Sequence, residues 1–269
     1  MHQTRVITSV VGLILLIGLL GWGNRLVFWL VVSTVIVIGL AEFYHLAQAR
    51  DLPVYHLPGL LAGWLLSLAP IVATSFGEIG QTELTLTLIV LGLFLYALFT
   101  GQALSEAISA LAITLFGVCY VSWLLSHLIF LHGLPNGKGW VWYLLLVVWA
   151  GDTGAYYTGR KFGKHPLSPV ISPKKTIEGT LGGLAASLLV SFIAKWAFLA
   201  QLRWIDCLLL GLLLATIAQL GDLCESLLKR GADVKDSGTI LPGHGGILDR
   251  LDGVMFAAPV LYYYVRMVW

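Results

Sequence analysis

The chain has 269 residues, of which 58% are hydrophobic and 11% charged. A soluble domain carries about 25% charged residues, so the composition excludes an ordinary soluble domain and places the chain in lipid. The net charge of +2 leaves no electrostatic footprint for nucleic acid, and Cys119, Cys207 and Cys224, without CxxC spacing or a nearby His pattern, are expected to serve as small apolar residues.

A bilayer crossing needs about 20 mostly apolar residues. In chain order such runs fall at 6–23, 26–48, 58–76, 84–100, 107–131, 139–158, 179–200, 205–228 and 251–268. Arg5 precedes the first run, and with no small-residue cleavage site behind it this run is expected to stay as a span. The second run carries Glu42 and His45, expected to make interhelix hydrogen bonds. His127 and His132 close the fifth and are expected to mark its interface. The expected fold is therefore all-α, a polytopic integral membrane protein of about nine transmembrane helices. It forms a single transmembrane domain over 1–269, with scaffold helices in 1–132 and catalytic helices and loops in 139–268.

Lys and Arg set the orientation. With nine spans, eleven of the sixteen fall on the side that holds the N-terminus and five on the other, which places the first side in the cytoplasm. Its two richest loops are 159–178 and 229–250. An integral protein of the cell (inner) membrane is expected, with its active site facing the cytoplasm.

The sixth span ends in WAGDTGAYYTGRKFGKHPLSPVISPKKTIEGTLGG, from Trp149 to Gly183. Asp152 and Tyr156 share a helical face there. Arg160, Lys161, Lys164, Lys174 and Lys175 follow among Gly, Ser and Pro, and Ser172-Pro173-Lys174-Lys175-Thr176 runs straight into the seventh helix. A helix N-terminus flanked by lysines and hydroxyls is a ready anion site. Ordinary positive-inside anchoring explains the charges but not the glycines, the hydroxyls or Asp152.

In the eighth span Asp222, Glu225, Ser226 and Lys229 stand at i, i+3, i+4 and i+7, on one helical face. Ionisable groups in such a segment cost about 2.5–3.5 kcal/mol each on insertion scales and face a cavity or a partner. Either a structural Glu–Lys pair or a metal or phosphate site accounts for them. Then comes KDSGTILPGHGGILDRLDG, where Pro242, Gly243, Gly245 and Gly246 stop any helix, His244 lies inside the turn, and Asp249 and Asp252 begin the ninth helix at i and i+3. A helix cap explains one carboxylate there, but not two together with a glycine-rich turn and Lys235-Asp236. Oxygen ligands of this kind suit Mg²⁺, which takes one or two carboxylates plus phosphate and water oxygens. One face thus offers carboxylates for a cation and cations for phosphates, as phosphoryl or nucleotidyl transfer at an interface requires.

The run Ser226-Leu-Leu-Lys229-Arg230, four residues, Lys235-Asp236, then His244-Gly245-Gly246-Ile-Leu-Asp249-Arg250-Leu-Asp252 resembles the signature of the phosphatidate cytidylyltransferases, the CDP-diacylglycerol synthases, as does GDTGAYYTGRKFGKHPLSPVISPKKTIEG upstream. The resemblance is strong over about 150–253 and general elsewhere. It implies transfer of a cytidylyl group from CTP to phosphatidate with Mg²⁺, giving CDP-diacylglycerol and pyrophosphate for phospholipid biosynthesis. It implies Asp222 and Asp249 as Mg²⁺ ligands, with Asp252 close by for a second cation. Lys174, Lys175 and Arg160 would bind phosphate, with Ser172, Asp152 and Ser226 beside the substrates. Lys229, Arg230, Lys235 and Arg250 would neutralise charge, or Lys229 and Arg250 would instead fix the carboxylates, and His244 would touch a phosphate or hold the turn. The family also implies a homodimer.

Two other classes fit less well. A transporter predicts midplane charges and repeated halves, neither of which occurs in this sequence. A CDP-alcohol phosphotransferase would continue Asp252-Gly253 into a pattern that is missing, whereas a polyprenol kinase is disfavoured only by the signature.

Overall fold

The computed structural model describes residues 2–72, 78–101, 103–240 and 245–269. The chain divides into two compact units, one of residues 1–133 with 231–250 and one of residues 134–230 with 251–269. The signature loop thus folds with the N-terminal helices, which the sequence marked only as scaffold.

The first unit contains α1 (His2–Trp22), α2 (Arg25–Gln48), α3 (His56–Val72), α4 (Glu78–Phe99), α5 (Leu104–Gly117) and α6 (Leu124–Gly133). A π-helical stretch, Val118–Trp123, joins the last two into one continuous 30-residue rod. Asn24 starts α2 by accepting the Val27 N–H at 2.9 Å. The helix then buries Phe28, Val32, Ile36, Leu40 and Tyr44, a stripe at four-residue steps that faces the core. Tyr44 threads into the α5 rod and donates to the Thr114 carbonyl at 2.9 Å. A Cβ at Gly117 would lie 2.6 Å from its ring, so only glycine admits the tyrosine there. Among the described residues Cys119, Cys207 and Cys224 are free thiols.

The second unit contains α7 (Gly137–Phe162), an antiparallel hairpin of β1 (Pro166–Ser168) and β2 (Ser172–Thr176), α8 (Ile177–Ala197), most of α9 (Trp204–Gly231) and most of α10 (Leu248–Val268). Helices α7 and α8 pack through small residues. A Cβ on Gly154 would sit 2.5 Å from that of Ala186, and one on Gly182 would sit 2.2 Å from the Thr158 hydroxyl. Backbones that approach this closely are the usual way to gain van der Waals packing where lipid removes the hydrophobic drive. The glycines of this stretch, which positive-inside anchoring left unexplained, are at these positions helix contacts. Polar groups buried between helices are satisfied in pairs: Ser187 donates to the Val147 carbonyl at 2.8 Å, and Ser191 to that of Cys207 at 2.8 Å. Since Ser191 spends its proton there, Tyr143 must donate to the Ser191 oxygen, 2.6 Å away.

Among the described residues five helices are long and apolar enough to cross a membrane, spanning Arg25–Gln48, Gly80–Phe99, Leu104–Gly133, Ile177–Ala197 and Trp204–Gly231. On α4 the side chains of Leu84, Leu88, Leu91, Phe94, Leu95 and Leu98 point outward, as lipid-facing residues do. The protein is an all-α polytopic membrane protein. The hairpin is the one feature of the 159–178 loop that its sequence did not announce, because Pro166 and Pro173 argue against strands.

Candidate active site

The second unit holds a cavity of about 390 Å³ at the cationic end of α7 and α8, within the range of small-molecule sites. Asp152, Tyr156 and Arg160 line it from α7, Lys174, Lys175 and Thr176 from β2, Gly179 and Thr180 from the first turn of α8, and Gln219 and Asp222 from α9. Local structure explains the convergence. Thr176 caps α8 by accepting the Gly179 N–H at 3.1 Å. Glu178 ties the far side of the hairpin, accepting the Lys164 N–H at 3.0 Å and the His165 Nδ1 at 2.6 Å. The hairpin therefore delivers Lys174 and Lys175 to the positive end of the α8 dipole, an arrangement suited to an anion.

Lys175 is three-quarters buried, and its Nζ lies 2.6 Å from Asp222 Oδ2. The face predicted on α9 is present: Ser226 Oγ is 3.5 Å from Asp222 Oδ1, and Lys229 donates to Glu225 Oε2 at 3.0 Å. Glu225 is almost fully buried, so Lys229 offsets a charge that would otherwise be costly there. Arg230 reaches the hairpin tip, with its Nε 3.5 Å from the Ile171 carbonyl. Ser172 lies in β2, paired with Ser168.

Four carboxylates of this unit act on one another electrostatically. Asp152 feels Asp222 and Lys175, and Asp252 feels Asp222, Glu225 and Asp152. Among the described residues no three His, Cys, Asp or Glu groups converge tightly enough to hold a metal alone. Such an open carboxylate group fits Mg²⁺ better than a closed cage would, since this ion keeps waters and phosphate oxygens in its shell. A divalent cation would also relieve the repulsion among the carboxylates.

The remaining signature residues lie in the first unit. Asp249 opens α10, and its Oδ2 accepts from Ser237 N at 2.9 Å, Ser237 Oγ at 3.0 Å and Gly246 N at 2.8 Å. Gly245 has φ +84, and a Cβ there would lie 2.8 Å from the same oxygen. Lys235 and Arg250 are exposed. Pro242, Gly243 and His244 lie outside the described residues. Glu42, which the sequence offered only as an interhelix hydrogen-bonding group, is buried against this loop and accepts the Ile247 N–H and the Leu248 N–H, each at 2.9 Å. Ser237 received no role from sequence, and Thr176 appeared there only among the hydroxyls flanking the seventh helix. A hydroxyl directly before a helix was the available signal for Thr176.

A binding or catalytic role for this chemistry agrees with its relatives. Residues 3–268 match the profile of the cytidylyltransferase family. A phosphatidate cytidylyltransferase of Bacillus subtilis (strain 168) is 34% identical over 272 residues, covering 98% of each chain. One from Staphylococcus aureus (strain COL) is 37% identical over 270 residues, covering 96% of this chain and 97% of the relative. One from Synechocystis sp. is 33% identical over 299 residues, covering 100% and 98%.

Proposed function

Because the chain belongs to the cytidylyltransferase family, we propose that it moves the cytidylyl group of CTP onto phosphatidate, forming CDP-diacylglycerol and releasing pyrophosphate. The observation that carries this is the cavity in which Arg160, Lys174, Lys175 and the α8 N-terminus meet Asp152 and Asp222. A triphosphate needs cations and backbone N–H groups around it, and this cavity offers both.

The lipid phosphate monoester carries about −1.5 to −2 charge at neutral pH and attacks without a dedicated base. One of its oxygens bonds to the α-phosphorus of CTP as the bond to the pyrophosphate oxygen breaks, and the electron pair leaves with pyrophosphate. The protein's part is positioning and electrostatic stabilisation. Lys175, Lys174 and Arg160 hold phosphate oxygens and balance the charge that builds on the leaving group, Lys229 offsets Glu225, Arg230 adds positive charge at the hairpin tip, and Lys235 and Arg250 keep the charge-neutralising role that the signature implies. Asp222 and Asp252 would hold Mg²⁺, and Asp249 keeps the ligand role that the signature implies. The metal, when bound, would neutralise phosphate charge and polarise the reacting phosphorus. The site opens to the cytoplasm of a cell membrane, where CTP is dissolved and the lipid arrives from within the leaflet.

A turnover assay on the purified protein in detergent–lipid micelles tests this, with labelled CTP, phosphatidate and Mg²⁺. Phosphatidate-dependent CDP-lipid and pyrophosphate, both lost in Asp222→Asn, are expected. CTP consumed only with another lipid would change the substrate, and no turnover by folded protein would sink the enzymatic proposal.

A further inference from the structure

We infer that Glu42, on α2, is a positioning residue of this reaction that acts through the signature loop on Asp249. The inference rests on the ligand role proposed for Asp249. Glu42 is 3% exposed and sits 195 to 206 positions before its partners. Its Oε1 accepts from Ile247 N, and its Oε2 from Leu248 N at 2.9 Å and from Ser237 Oγ at 3.2 Å. A buried carboxylate is tolerated when donors saturate it in this way, and the α10 dipole adds to the effect.

Local sequence supplies no such cap. The two residues before α10 are Gly246 and Ile247, neither with a side chain that can accept a hydrogen bond. The loop is instead shaped to admit the remote carboxylate. A Cβ on Gly246 would lie 2.5 Å from Glu42 Oε2, and one on Gly238 would lie 2.5 Å from Oε1. These glycines stand where Glu42 enters.

The link to Asp249 is the Ser237 hydroxyl, which lies 3.2 Å from Glu42 Oε2 and 3.0 Å from Asp249 Oδ2. It has one proton to share between two carboxylates. Glu42 thereby sets how much of that proton Asp249 receives, and it also fixes the two N–H groups next to Gly246, whose own N–H holds Asp249. Loss of Glu42 should therefore reorient Asp249 without removing any substrate contact.

The test is Glu42→Gln, which keeps the size of the side chain but turns an amide NH₂ toward hydrogen-bond donors. Misplacement by about 1 Å can cost about 10²-fold in rate, so kcat should fall about 10²-fold. The KM values for CTP and phosphatidate should stay within about threefold, because ground-state contacts remain. The Mg²⁺ concentration for half-maximal turnover should rise. Ser237→Ala, which cuts the bridge and leaves the helix cap, should show the same kcat-selective loss, and it decides the matter if Glu42→Gln does not fold. Wild-type kcat per folded molecule in both variants, or higher KM at unchanged kcat, overturns the inference. Asp249→Asn is assayed alongside. If it turns over normally, the role of Asp249 falls and this inference with it; if it is dead while both other variants are normal, only this inference falls.

Discussion

The ammonium of Lys175 lies 2.6 Å from the carboxylate of Asp222, so the residue proposed to bind phosphate is paired with the residue proposed to bind the cation. Each neutralises the other. On the proposed roles, a nucleotide arriving with its cation would exchange that pair for two new ones, and the two binding events would be coupled.

Lys175→Ala should therefore lower kcat/KM for CTP by about 10- to 100-fold, the size of a charge-assisted hydrogen bond of about 1.5–3 kcal/mol. Lys174 is exposed, and Lys174→Ala should cost only a few-fold. CTP saturation curves for the two single variants check the order. Equal losses would overturn that order, and unchanged kinetics in both variants would return the lysines to positive-inside anchors.

Asp249→Asn should cut turnover by at least about 10²-fold, as loss of a preorganised charge in a site does. The amide oxygen can still accept from Ser237 N and Gly246 N, so the variant should insert and melt close to the parent. Activity together with a thermal melt in detergent separates the two effects, and substantial turnover at saturating Mg²⁺ removes Asp249 from the metal shell.

Gly154→Ala forces a methyl group to within 2.5 Å of Ala186 and 2.8 Å of the Gly182 carbonyl. Overpacking of this kind costs about 1–3 kcal/mol. Gly92→Ala, where nothing lies within 4 Å, should melt like the parent. Matching melts for both variants would show that α7 and α8 do not pack as described.

Away from the cavity, the fully buried Asp206 accepts from Arg203 Nη2 at 2.7 Å and from the Tyr264 hydroxyl at 2.7 Å. Tyr264→Phe deletes one bond to a buried charge and should lower stability by about 1.5–3 kcal/mol. The kcat of the molecules that stay folded should not change, since Tyr264 takes no part in the reaction. A denaturation series with activity measured at each point tests both statements.

What the sequence by itself determined is local. Hydropathy depends on composition over about 20 residues, so the membrane class and most helix positions are legible without coordinates. Side chains four apart meet on any helix, which is why the Asp222–Ser226 and Glu225–Lys229 contacts were visible in advance. A spaced signature likewise announced the chemistry. The tertiary structure decided what depends on separate segments meeting. It brought Lys175 of the hairpin to Asp222 of α9. It made Gly154 and Gly182 the close contacts between α7 and α8. It also seated Glu42 under a loop some 200 residues further along the chain. No local period encodes such approaches, because a buried carboxylate takes whichever donors the packed backbone presents to it.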